Sequence, residues 1–392
     1  MSDETSTPPL HGIRVLDLGQ GVAAPYCGLL LAQYGADVIK VEPPGGDWMR
    51  GLGQRYGDQT AYSITYNLGK RGIVVDLKDP RGLEVVRRIA ARSDVLLENF
   101  RPGVVNRLGI GFDTVKALNP KILYCSISGF GQVGPYVTRP GSDTVLQAFS
   151  GLISINRDIE GRPHRVGTTM IDALTGMNAF QAVSMELFAG VRSAKLLDVS
   201  LLQAAANLLA PNIVDHYLRG GAGPVLNAPA GTYRTADGWV AVSLVREADF
   251  VRLCGALGCP ELVEDPRFAD FALRSRNLDA ITTALSERFI LHATGHWVGT
   301  CSEAGVLVSP VNHFGDWIED PQVCAAGGHA PVDQPETGEV PVPRLPAGRP
   351  MCGTAPAMGT HSRDILTELA YTGVEQDALL ADGVITQAGA AA

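Results

Sequence analysis

Short apolar runs alternate with stretches of helical periodicity through the first half of the chain. GIRVLDL reads as a strand, GQGVAAP as a tight loop, YCGLLLAQYG as a helix and ADVIKVE as a second strand. This is one βαβ unit, whose right-handed crossover makes its two strands parallel neighbours. The pattern continues with a strand over 73–77, an amphipathic helix over 80–92, a strand DVLLENF, a helix FDTVKALNP and a strand KILYCSISGFG. A long glycine-rich loop follows, then a helix from Ala173 onward in which Leu174, Met177, Phe180, Gln181, Ser184, Leu187 and Phe188 share a broad apolar face. A strand over 196–200 and a further helix close this half. Strands alternating with helices predict a three-layer open α/β sheet over 10–218.

A Pro- and Gly-rich segment, 219–231, reads as a linker. Beyond it the pattern changes to a strand pair turning at Asp237-Gly238, helices at about 247–257, 277–291 and 293–304, and a strand over 306–311. That predicts a smaller α/β domain, 232–324. Residues 325–350 read as a second linker, and 351–392 as C-terminal helices.

Composition narrows the classes of function. The chain has 392 residues, 45% of them hydrophobic, and a net charge of −9 with no basic run, which argues against nucleic-acid binding. The opening MSDETSTPPL is acidic and polar, unlike a secretory signal. The longest apolar stretch, Leu196 to Val214, is interrupted by Asp198, Gln203 and Asn207, and so reads as a buried helix rather than a membrane span. Seven scattered cysteines without a CxxC suggest free thiols and a cytoplasmic location.

Three places could carry chemistry. Asp172 stands where a loop enters a helix, where the helix dipole and free N–H groups are expected to favour its ionised form. An Asp there is most often only a cap. Gly19, Gly21 and Ala24 spell GxGxxA after a strand, with Glu42 downstream, an outline of the dinucleotide-binding fingerprint. Lys70 and Arg71, beside glycines at a strand mouth, could hold phosphate or form a solvated turn. His292 and His296 lie four apart but lack a third ligand nearby, so no metal is expected.

Several longer motifs point further. DALTG at 172–176 follows a PxRxG-like loop; YGADVIKVEPPGGD ends the second strand; ENFRPG with Arg107 and Gly109 follows the DVLL strand. GPYVTRPGSD leads to Asp143, Gln147 and Gly151, and an LG…PEL…DPRF stretch lies in the second domain. With these motifs the chain resembles the family III CoA-transferases, the formyl-CoA transferase and carnitine CoA-transferase group, over nearly its whole length. The resemblance implies a Rossmann-like large domain built from both chain ends, a smaller inserted domain, and an interlocked homodimer. It implies Asp172 as the nucleophile, forming an aspartyl-CoA thioester as CoA moves from an acyl-CoA donor to a free carboxylic acid. It also implies that Val22 and Ala23 in the first loop, Lys70, Arg71, Asn99, Phe100 and Arg107 contact CoA, which is substrate rather than a resident cofactor. Backbone N–H groups around Asp172 would stabilise the developing oxyanion.

Ser142 separates this chain from the related α-methylacyl-CoA racemases, which place a His there; serine is a poor acid/base near neutral pH. Val22, Pro43 and the segment 227–231 depart from the formyl-CoA transferases, making oxalate or formate unexpected and favouring a larger acid, with succinyl-CoA or acetyl-CoA as donor. The rival readings are a racemase, a non-catalytic CoA-binding regulator and a nicotinamide-dependent dehydrogenase.

Overall fold

The computed structural model describes residues 7–388 apart from Ile159, Val191, Ala222, Pro224, Ala347 and Gly348. It divides into two compact units: one runs through Ala210 and resumes at Gly327, and the other is Pro211–Ala326.

The first unit is built on β1 (Arg14–Asp17), β2 (Asp37–Glu42), β3 (Arg71–Val75), β4 (Val95–Glu98), β5 (Leu123–Ser128) and β6 (Lys195–Ser200). These strands pair in parallel, with Leu16 opposite Ile39 on one side and Leu96 on the other. Alternate residues face opposite ways. Val15, Val38, Leu97 and Ile127 enter one core, and Leu16, Ile39, Ile73 and Tyr124 enter the other. Strands buried on both faces are continuous apolar runs, which is why they were readable.

Helices α1 (Ala23–Gln33), α2 (Ala61–Asn67), α3 (Pro80–Ala91), α4 (Val104–Leu108), α5 (Asp143–Phe149), α6 (Met170–Ala189) and α7 (Leu201–Leu208) connect the strands. Asp79 caps α3 through the Arg81 N–H, with Pro80 at its start. α1 and α6 cover one face and meet backbone to backbone. A side-chain carbon at Gly176 would lie 2.6 Å from the Ala23 carbonyl oxygen, so glycine there serves helix packing.

The second unit takes α8 (Ala210–Arg219) from its second residue onward and contains an antiparallel sheet of β7 (Gly231–Arg234), β8 (Trp239–Ser243) and β9 (Leu307–Pro310). Its core gathers Tyr233, Phe250, Phe289 and Trp297. His292 and His296 meet Trp297 edge to face in this unit, ring centroids 5.1 and 4.9 Å away.

Two expectations need correction. Leu196 to Val214 is a strand followed by two helices, and the second of these, α8, buries none of its residues. The interval 325–350 is more than a linker: β10 (His329–Gln334) and β11 (Gly338–Pro343) form an antiparallel hairpin. Val332 and Val342 pack on Leu29 and Leu68, and the Gln334 amide bonds the Ala355 backbone at 2.8 and 3.0 Å. Its prolines are tolerated because a two-stranded ribbon leaves edge positions without ladder bonds. After the hairpin come α9 (Ser362–Glu368), α10 (Gly373–Ala381) and β12 (Ile385–Thr386). β12 pairs antiparallel with β3 and completes a seven-stranded sheet of order β12-β3-β2-β1-β4-β5-β6. Among the described residues no helix is long and apolar enough to cross a membrane.

Candidate active site

From β1 the chain winds outward to β2 and β3, then returns to the other side of β1 with β4, β5 and β6. That reversal opens a crevice at the carboxyl ends of β1 and β4, the usual ligand position in such sheets. Two adjoining cavities occupy it and share Gln20 and Phe100. One, of about 450 Å³, is lined by Leu18, Val41, Glu42, Pro43 and Lys78 among others. The second, of about 350 Å³, is lined by Val22, Ala23, Trp48, Asn99, Ser142 and Asp172 among others.

Asp172 lies in the first turn of α6, whose N-cap Thr169 offers no capping side chain. Asp143, from the start of α5, supplies the cap instead. Its Oδ2 accepts the Ile171 N–H at 2.7 Å and the Asp172 N–H at 3.0 Å. Gln147, fully buried, donates to Asp143 Oδ1 at 2.6 Å and accepts the Val166 N–H at 2.9 Å. The helix start is thereby fixed from outside the helix. The N–H groups expected to favour the Asp172 anion already serve a second carboxylate. Burial, with the Asp143 anion adding to it, pushes Asp172 up to about 7, opposite to the direction the helix dipole suggested. A half-protonated carboxyl at neutral pH is a strong base for a carboxylate and a correspondingly good nucleophile.

The other sequence-derived residues separate into two groups. Val22, at the N-cap of α1, and Ala23 line the cavity beside Asp172. Asn99 and Phe100 line it too; the Asn99 amide exchanges two bonds with the Gln20 backbone at 2.7 and 2.8 Å. Arg107 is exposed on α4, close to Leu108 of the first cavity.

Lys70 and Arg71 do not reach the crevice. The Lys70 ammonium is fully buried and spends its three hydrogens on Asp17 Oδ2 at 2.8 Å, the Pro25 carbonyl at 2.8 Å and Asn67 Oδ1 at 3.1 Å. No donor is left for a phosphate. Arg71 stands at the amino end of β3, paired with Asp37 at 2.7 Å and with Glu368 of the returning chain at 2.6 Å. It clamps the C-terminal segment to the sheet, on the side away from the cavities.

The sequence reading missed Lys78, Trp48 and Gln20, and gave Glu98 of the ENFRPG motif no role. Lys78 is an exposed cation on the first cavity, just past the Lys-Arg pair that drew attention. Glu98 sits beneath Phe100, bonding its N–H at 2.8 Å and the Ser126 hydroxyl, and burial pushes it up to about 7. Gly129 and Gly141 pack Cα to backbone beside Ser142: a side-chain carbon on either would fall within 2.9 Å of the other's Cα.

Residues 10–362 match the family model described as CoA-transferase family III. The chain is 33% identical to the succinyl-CoA:glutarate CoA-transferase of Mus musculus over 407 aligned residues, covering 98% of this chain and 92% of that protein. It is 34% identical to the succinate–glutarate CoA-transferase of Agrobacterium fabrum, covering 92% and 96%. A crystal structure of a CAIB/BAIF family protein from Brucella suis superposes with a TM-score of 0.81 at 31% identity, covering 93% of this chain and 100% of that one. A match that spans nearly the whole chain, and with it both the Asp172 helix and the loops of the crevice, makes this protein a member of CoA-transferase family III.

Proposed function

We propose that this CoA-transferase works through covalent catalysis by Asp172, with succinyl-CoA as donor and a dicarboxylic acid as acceptor. The half-buried Asp172 carboxyl, on the crevice with a second carboxylate behind it, carries the mechanism. The named activities of the mouse and Agrobacterium relatives support the acid pair. Asp172 attacks the donor thioester carbonyl; the C–S bond breaks, CoA leaves as thiolate, and a mixed anhydride forms. The thiolate then attacks the aspartyl carbonyl and expels the donor acid, leaving an aspartyl-CoA thioester. The acceptor carboxylate attacks that thioester and receives CoA through a second anhydride. Each acylation neutralises Asp172 and so removes its repulsion with Asp143. Because Asp143 occupies the first free N–H groups of α6, the oxyanion donors are the N–H groups of Val22 and Ala23 at the uncapped start of α1.

Lys78 on the first cavity and Arg107, exposed next to Leu108 of that cavity, hold the phosphates of CoA, and Asn99 and Phe100 flank the pantetheine path between the cavities. Ser142 lines the Asp172 cavity where a racemase needs a proton carrier, which favours transfer. The active form is an interlocked homodimer, consistent with Tyr217 and Leu218 of α8 being 84% and 77% exposed in the single chain.

The test of the acid pair is succinyl-CoA consumption with a panel of mono- and dicarboxylates. The reading requires glutarate-sized diacids to outrun monoacids of equal length; equal or inverted rates would remove the diacid assignment. The electrostatic part is tested by pH. With the free enzyme titrating near 7, kcat/KM for the donor rises with pH through that value, since only the anion attacks. Asp143→Asn removes the anion and is expected to move that rise down by roughly one unit. A profile that does not move would deny Asp143 its electrostatic role.

A further inference from the structure

Besides the nucleophile, the Asp172 cavity is lined by Gln20 and Val22 after β1 and by Trp48 after β2. Gln20 and Gly21 lie in the loop that ends at Val22, the N-cap of α1, and Trp48 opens a single 3-10 turn, Trp48–Gly51, capped by Asp47. Both are tied to one buried carboxylate. Asp47 accepts the Gly21 N–H at 3.0 and 3.2 Å and the Met49 N–H at 3.0 Å, so it brackets Trp48 and grips the first loop together. Its charge is met by the Lys40 ammonium at 3.0 Å, which also donates to the Gly19 carbonyl; both side chains are 1% exposed. The Asp47 N–H in turn donates to Glu42 at 3.0 Å, and Glu42 holds Arg50 at 2.7 Å. The Trp48 indole rests directly over Gly21: a side-chain carbon there would come within 2.4 Å of the ring. Yet Trp48 is 58% exposed, so packing alone does not fix it.

A buried ion pair contributes little net stability, because desolvating both charges offsets their attraction. Its product is geometry: Asp47 ties two loops to one point, and Lys40 fixes that point. We propose that the Asp47–Lys40 pair is a positioning device that sets the spacing between Trp48 and the Gln20–Val22 loop, and thereby selects the acid that fits beside Asp172. This rests on the reading that the Asp172 cavity receives the acyl group. Asp47 and Lys40 touch neither acid nor CoA; they act through Trp48 and the Gly21 backbone.

The experiment compares full-length wild type, Asp47→Asn and Gly21→Ala with succinyl-CoA and a series of straight-chain diacids differing by one methylene. Calorimetric binding of free CoA and the thermal midpoint are measured on the same samples. One methylene is ordinarily discriminated by 10- to 200-fold, and Asp47→Asn is expected to lower that ratio by about tenfold while CoA affinity holds. Gly21→Ala keeps the ion pair but displaces the indole, and should reshape selectivity in the same direction. A lowered midpoint with the acid ratio unchanged in both variants would make the pair merely structural and overturn the proposal. If Asp47→Asn does not fold, Gly21→Ala decides alone. Transfer surviving in Asp172→Asn would sink the acyl-cavity reading itself; an inactive Asp172→Asn with unaltered selectivity in both wall variants would sink only this inference.

Discussion

Asp172→Asn is expected to abolish CoA transfer and, at the same time, to make the protein more stable at neutral pH. The amide keeps the volume and cannot form an anhydride, and the start of α6 does not depend on it, because Asp143 and Gln147 supply the cap. Loss of a nucleophile ordinarily lowers turnover by at least about 10⁴-fold. The stability change has a definite sign. An aspartyl group has an ordinary value of 3.8, and burial with the Asp143 anion raises Asp172 to about 7 in the folded state. Between those values the folded chain binds more protons than the unfolded one, so stability falls as pH rises, and the full penalty applies above 7. Asparagine carries no such penalty. The variant should therefore gain on the order of 1–3 kcal/mol at pH 8, after allowance for the solvent that still reaches the cavity, and nothing near pH 3.5. Denaturation midpoints across pH, beside transfer rates, check both halves. An inactive variant of unchanged stability would mean that the carboxyl is not held against its charge.

Lys70→Met should destabilise the large unit strongly. Lys70 and Asp17 form an ion pair with both side chains 0% exposed, and Gly28 makes the space: a side-chain carbon there would lie 2.7 Å from Asp17 Oδ2. Methionine fills the volume but leaves Asp17 charged and without its cation. Breaking a buried pair in this way costs about 3–5 kcal/mol. Urea titration monitored by circular dichroism should show the loss. Were Lys70 a phosphate contact, the same substitution would raise the KM for acyl-CoA and leave the midpoint in place.

Lys70 also shows where sequence reading stops. A Lys-Arg pair beside glycines is a sound description of a phosphate turn, and nothing local distinguishes it from a buried anchor. What decides is Asp17, 53 residues earlier, which the sheet brings alongside. The position of Asp172 at a helix start was legible from the change of periodicity, but its charge state was not, because Asp143 is 29 residues away and reaches α6 through a loop of irregular path. The inner strands of the main sheet were legible because burial on both faces leaves them largely apolar, whereas β6, exposed or partly so over its first four residues, was legible from its place in the strand–helix alternation. The β10–β11 hairpin was not, since its prolines and glycines are also the composition of a linker and its core partners, Leu29 and Leu68, lie far back in the chain. Trp48 and Asp47 stood in plain view in PPGGDW; only the fold shows that they close a wall around the site.

The most direct test is to trap the intermediate. The protein is mixed with succinyl-CoA in the absence of acceptor, quenched with hydroxylamine, digested and mapped by mass. Hydroxylamine converts an activated carboxyl to a hydroxamate, so the mechanism requires that modification on Asp172 and its absence from Asp172→Asn. A hydroxamate on another residue, or none at all from an enzyme that is turning over, would contradict it.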